Sequence, residues 1–150
     1  MIERVPSWLH FAVYELGQHE IEGGTDNPRI QEYLASVGMV AATDEVPWCA
    51  AFVNFVLLQA GVAGTGMANA RSYEKWGKYL DSESLRRGAV LVWPRGKEKW
   101  MGHVNLLLDF DDADPEFVYC IGGNQHNRVS VVRCELKKLV TARWPEGVEI

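Results

Sequence analysis

The chain has 150 residues, of which 47% are hydrophobic and 23% charged, and a formal net charge of −5. That length suits a single domain over residues 1–150, with about two-thirds of the unfolded surface removed from water, and a second domain does not fit. The composition excludes disorder, and basic residues paired only at Arg86-Arg87 and Lys137-Lys138 exclude the clustered stripe that a nucleic-acid partner needs.

Ser7 is placed to cap a helix running to about Leu16, with Trp8, Leu9, Phe11, Ala12, Val13 and Leu16 on its apolar face and Gly17 as the stop. Asn27 reads as the N-cap of a second helix, with Pro28 at its first position, Ile30, Tyr33, Leu34 and Val37 as one stripe, and Gly38 at its end. From Pro47 to Ala60 only Asn54 and Gln59 are polar, so a third helix is expected to be buried nearly all round and closed by Gly61. A small-residue loop, "GVAGTGMANA", leads to "RSYEKWGKYL", read as a short amphipathic helix.

After Gly88 the texture changes to β-branched and aromatic runs, giving five strands: Ala89 to Trp93, His103 to Phe110, Phe117 to Ile121, Val129 to Cys134 and Val140 to Trp144. Their short connections favour antiparallel neighbours in a meander, because a parallel crossover needs about a dozen residues. Helices followed by strands imply an α+β fold.

No window approaches the ~18 consecutive apolar residues of a membrane span, and acidic residues with His10 interrupt residues 1–17 where a signal peptide needs an apolar core. Synthesis in the cytoplasm is therefore expected. The three cysteines are an odd number without close pairing, and no C-x-x-C or H-x-x-x-H spacing is present, so neither a disulfide framework nor a metal or cofactor is expected.

Cys49 stands in the first turn of the third helix, where unpaired N–H groups and the helix dipole favour a thiolate. A cationic partner there lowers the thiol further and makes it a nucleophile at neutral pH; a small buried hydrophobe is the alternative reading of the same cysteine. Cys120 and Cys134 lie within strands without such a feature. His103, after a glycine at the start of a central strand, is the candidate base; a histidine capping a strand edge is the alternative. "GGNQHN" offers Asn124 to orient the imidazole, with Gln125 and His126 as the other choices. Trp48 and Trp100 are candidates to line a cleft, and Asp44 and Glu45 to meet an amino group or simply to favour the helix start.

"NPRIQEYLASVG", "DEVPWCAAFVNFVLLQAG", "ARSYEKWG", "GHVNLLL" and "GGNQ", in that order, resemble a bacterial and phage family of small proteins allied to the NlpC/P60 and CHAP cysteine hydrolases. The resemblance runs from about Leu16 to Trp144. It implies a papain-like fold, with Cys49 as nucleophile, His103 as base, and the orienting position on Asn124. Trp48 stands where NlpC/P60 proteins often carry an acidic residue, and Asn124 where CHAP domains often use a glutamate.

Such relatives cleave amide bonds in peptidoglycan, so the resemblance implies an endopeptidase of the stem peptide ahead of an N-acetylmuramoyl-L-alanine amidase. Trp48, Asp44, Trp100 and Gln125 would contact that substrate. It implies a phage or prophage lysin reaching the wall after holin-type release, or an injected antibacterial effector with an immunity or delivery partner. Two other readings stand beside it: an intracellular thiol hydrolase or deamidase acting on a protein, and a non-catalytic binding module of a phage particle.

Overall fold

The computed structural model describes residues 4–21, 26–39 and 47–149. Three helices, α1 (Ser7–Tyr14), α2 (Pro28–Ala35) and α3 (Cys49–Gln59), precede the sheet. Pro6 takes the N-cap position of α1 and Ser7 begins the helix without capping it, whereas Asn27 caps α2 by accepting from the Arg29 N–H at 2.8 Å. A glutamate at the end of α1 joins the two helices. Glu15 is only 3% exposed, and its carboxylate accepts from Arg29 Nε at 2.6 Å and from the Tyr33 hydroxyl at 2.6 Å.

Helix α3 is buried from Cys49 through Leu57, against α1 and α2 on one side and the sheet on the other. Phe52, Val53, Val56 and Leu57 are each fully buried, worth about 1.5–3 kcal/mol apiece. Asn54, polar in this setting, has a full set of partners. Its Nδ2 donates to the Ser36 carbonyl at 3.0 Å and its Oδ1 accepts from the Gly66 N–H at 3.0 Å, so it ties the end of α2 to the following loop.

The expected helix over "RSYEKWGKYL" is instead a short 3-10 helix, Ala70–Lys75, followed by an edge strand β1 (Lys78–Tyr79). Gly77 ends the helical run with φ +61°, and a Cβ there would collide with the Trp144 carbonyl. Only glycine lets the chain pass that close and turn into the sheet.

Strands β2 (Val90–Pro94), β3 (Gly102–Phe110), β4 (Phe117–Gln125), β5 (Arg128–Glu135) and β6 (Thr141–Trp144) complete a six-stranded antiparallel sheet, one strand more than the sequence indicates. Its order is β1-β6-β2-β3-β4-β5. The last strand does not continue a meander beside β5; it crosses to pair with β2, Leu91 opposite Ala142. The architecture is α+β, helices packed on an open antiparallel sheet. Residues 17–20 run along the outer edge of β5, with the Gly17 N–H donating to the Val129 carbonyl at 3.0 Å and the Val129 N–H to the Gln18 carbonyl at 2.8 Å.

Candidate active site

Cys49 opens α3 and His103 is the second residue of β3, and the fold places them side by side, each the strongest influence favouring the other's charged form. Close docking of the helix start on β4 makes this possible. Gly123 lies under it, where a Cβ would stand 2.6 Å from Phe52 Cβ and 2.7 Å from the Trp48 ring. Gly102 serves the strand start in the same way, since a Cβ there would meet Arg71 Nε at 2.9 Å; that Nε holds the Met101 carbonyl at 2.8 Å.

Burial, the largest influence on the Cys49 thiol, pushes its titration upward. The hydrogen bond and charge of His103, with the N–H groups of Val104 and Ala50, outweigh burial and hold the thiol below its ordinary value. On His103, burial favours the neutral ring, but the bonds to Cys49 and Gln125 and the thiolate charge raise it above the ordinary imidazole range. Opposite shifts on touching groups favour a thiolate–imidazolium pair.

Gln125, not Asn124, meets the imidazole. Its Oε1 lies 2.9 Å from His103 Nε2. The reason is a bulge: Gly122 pairs with Ser130 and Gln125 with Arg128, so β4 carries one extra residue over that step. Regular alternation from Gly122 puts Asn124 on the His103 face; the extra residue, with Asn124 in the left-handed region at φ 59°, puts Gln125 there instead. The β4–β5 turn itself has His126 at φ 57° and Asn127 at φ 59°, the two left-handed residues of a tight hairpin loop.

The bonds around Gln125 fix the imidazole proton. Gln125 Nε2 donates to the Ser130 carbonyl at 2.7 Å, which turns Oε1 toward His103. Asn105 Nδ2 donates to that same Oε1 at 3.0 Å, and Trp93 Nε1 donates to Asn105 Oδ1 at 2.8 Å. Facing an acceptor, Nε2 of His103 carries a proton, and Nδ1 is the nitrogen left for Cys49. Asn105 is completely buried. An amide inside the apolar run "HVNLLL" is the signal that marks it in the sequence.

Two grooves share a wall near the start of α3. One, of about 720 Å³, includes Cys49 and is walled by apolar residues, among them Val37, Met39, Met67 and Trp100. Trp100 is 73% exposed on this wall. The other, of about 710 Å³, is polar and lined by His19, Glu20, Arg95, Asn124, His126, Asn127 and Arg128 among others. Pro47 and Arg95 line both. Asn124, expected at the imidazole, thus faces this polar groove.

Trp48 does not reach the cleft. Its ring is fully buried, stacked on Tyr33 at 5.8 Å between centroids, with Nε1 donating to Glu20 Oε1 at 3.2 Å. Gln125, 6% exposed and committed to His103, Asn105 and Ser130, is an internal support and not a substrate contact. Asp44 and Glu45 lie outside the described residues.

Cys120 on β4 and Cys134 on β5 are neighbours whose thiols act on each other. Cys120, the charge of His103 and Asn105 draw Cys134 down to about 7 against its partial burial, while Cys134 and burial raise Cys120 well above its ordinary value. Among the described residues, no group of three or more His, Cys, Asp or Glu side chains is placed to hold a metal ion.

A cysteine at a helix start, touching a strand histidine over an antiparallel sheet, defines the papain-like class of cysteine-hydrolase architecture. The CHAP domain family matches residues 41–124, and the chain belongs to that family. The structure is similar to an NlpC/P60 family protein from Bacillus cereus ATCC 10987, with TM-score 0.56 and 15% identity over 92% of this chain and 39% of that one. It is also similar to the endolysin LysIME-EF1, with TM-score 0.60 and 15% identity over 96% of this chain and 66% of that one. A third similar structure is an NLP/P60 family protein from Staphylococcus aureus subsp. aureus Mu50, described as similar to a lipoprotein, with TM-score 0.55 and 13% identity over 95% and 41% of the two chains. This chain thus spans less than two-thirds of each of these proteins. No curated protein sequence gives a significant match. Among the described residues, no helix is long and apolar enough to cross a membrane.

Proposed function

We propose that the protein hydrolyses an amide bond of peptidoglycan, with Cys49 as nucleophile and His103 as acid and base. The observation that carries this reading is the Cys49–His103 contact at the floor of a groove, with opposed shifts of the two groups. Membership of the CHAP family and similarity to an endolysin support the cell wall as the substrate.

The Cys49 thiolate attacks the carbonyl carbon and forms a tetrahedral oxyanion, for which the Cys49 backbone N–H at the helix start is a donor. His103 delivers its Nδ1 proton to the departing nitrogen as the C–N bond breaks, leaving a thioester and a free amine. His103, now neutral at Nδ1, takes a proton from water, whose oxygen attacks the thioester. Collapse releases the carboxylic acid and regenerates the thiolate–imidazolium pair. Gln125 holds the ring in one tautomer through both steps.

The scissile bond favoured is the one after D-glutamate in the stem peptide, an endopeptidase activity ahead of cleavage between sugar and L-alanine. The biological setting is a lysin released onto the wall or a delivered effector. Digestion of purified cell walls tests the reading: new free amines and cleared wall are expected from the wild type and not from Cys49→Ala. New reducing sugar ends without new amines would overturn it.

A further inference from the structure

The polar groove beside the catalytic pair has no part in the acyl-transfer chemistry, yet it joins the apolar groove at Pro47 and Arg95. Arg95 and Arg128 on its walls have no ion-pair partner among the described residues. Arg29, Arg71, Arg87 and Arg133, by contrast, each hold a carboxylate within 2.6–2.9 Å. His19, Asn124, His126 and Asn127 add imidazole and amide groups to the same wall. Asn124, His126 and Asn127 are there because all three adopt the left-handed region, so the bulge that aims Gln125 inward also turns this hairpin end toward the groove.

Glu20 is the acidic residue of the lining, and its carboxylate accepts from Trp48 Nε1 at 3.2 Å. Edge pairing of residues 17–20 with β5 fixes this side of the groove, His19 bridging to Arg128 and the Glu20 N–H donating to the Asn127 carbonyl at 3.0 Å. Two guanidinium groups with no ion pair among the described residues, in a groove that shares Pro47 and Arg95 with the one holding Cys49, suit an anion carried by the substrate.

We propose that this polar arm is an anion subsite that takes a free carboxylate of the peptide substrate next to the scissile amide, with Arg95 and Arg128 as its charged contacts. Resting on the hydrolase reading above, the assignment divides the cleft: the apolar arm receives the aliphatic part of the peptide and the polar arm its carboxylate. A stem-peptide glutamate joined through its side chain has such a free α-carboxylate. Converting that group to an amide removes the charge and keeps the shape.

The test uses the full chain carrying Cys49→Ala, titrated by NMR with the tripeptide L-Ala-γ-D-Glu-L-Lys and with its counterpart in which the glutamate α-carboxylate is an amide. The free acid should bind at least about tenfold more tightly, as expected for a charge-assisted guanidinium contact, and should shift the Arg95 and Arg128 Nε signals. Arg95→Gln with Arg128→Gln should erase the difference. Equal affinities, no binding of either peptide, or a preference that survives the double substitution would overturn the subsite. Equally strong competition by inorganic phosphate would overturn it too, marking a general anion surface. A parallel wall digestion with the wild type separates the two ideas: amines released without carboxylate preference sink the subsite alone, and carboxylate preference without amine release sinks the hydrolase reading alone.

Discussion

The side-chain amide of Gln125 donates to the Ser130 carbonyl at 2.7 Å, and that bond, with Asn105 donating to Oε1 at 3.0 Å, decides which nitrogen of His103 carries a proton toward the support and which faces the sulfur. The amide cannot rotate without putting Nε2 against the imidazole N–H and losing Ser130. A main-chain carbonyl on β5 thereby governs the tautomer of a ring on β3.

Gln125→Ala should reduce kcat/KM by about tenfold to a hundredfold, the range typical of groups that orient a reactive imidazole. Asn124→Ala should cost less, since Asn124 faces the polar groove. Gln125→Glu keeps an acceptor toward Nε2 and adds negative charge, which stabilises the imidazolium; activity should persist with its alkaline limit displaced to higher pH. Turnover of soluble wall fragments across pH provides the check, and an Asn124→Ala defect larger than that of Gln125→Ala would contradict this assignment.

The pH dependence follows from the opposed shifts of Cys49 and His103. Cys49 is lowered, so the thiolate is present above a titration that lies below that of a free thiol; His103 is raised, so the imidazolium persists below a titration that lies above that of a free imidazole. Between those limits the ion pair exists, and kcat/KM should be bell-shaped with both limits belonging to the pair. His103→Ala removes the hydrogen bond and the charge, so alkylation of Cys49 should move to higher pH. Cys134, held at about 7, would react alongside it, so the measurement belongs in a Cys134→Ser background. Cys49→Ala should lose about 10⁴-fold or more in turnover.

Much of this was legible in the sequence because its signals are local. Asn27-Pro28 marks the start of α2, the apolar run after Pro47 marks a buried helix, and "GHV" marks the entry to β3. The parts that were not legible depend on pairing. The bulge that exchanges Asn124 for Gln125 exists only because β5 has one residue fewer over the same step. The strand at Lys78–Tyr79 is created by Gly77 passing the Trp144 carbonyl and by pairing with β6, whereas its own residues read as helix. Trp48, adjacent to Cys49 in sequence, points into the core because the N-cap residue of α3 packs on Tyr33.

Asn54→Ala should destabilise the protein by about 1–3 kcal/mol, because it leaves the Gly66 N–H and the Ser36 carbonyl without their partner. Urea unfolding should show a lower midpoint with an unchanged slope. The Gly66–Met67 wall of the apolar groove depends on the same contact, so KM should rise more than kcat falls. An unchanged unfolding midpoint would show that the contact holds nothing in place.

Gly123→Ala tests whether the Cys49–His103 pair depends on how closely α3 docks on the sheet. The added Cβ would sit 2.6 Å from Phe52 Cβ and 2.7 Å from the Trp48 ring, distances that real side chains do not tolerate, so the start of α3 must lift from β4. Over-packing of this kind costs about 1–3 kcal/mol, which the domain can lose without unfolding. The chemistry should suffer more than the fold. Cys49 rides on the displaced helix while His103 stays with β3, so the two move apart, the thiol loses its largest favourable influence, and burial, which opposes the thiolate, is left with less to counter it. In the Cys134→Ser background, alkylation of Cys49 at neutral pH should slow by roughly tenfold for each pKa unit regained, while the circular dichroism spectrum keeps its folded form. Slower labelling together with a folded spectrum would place the effect in the Cys49–His103 separation; labelling at the wild-type rate would mean that helix docking at Gly123 does not set the reactivity of the sulfur.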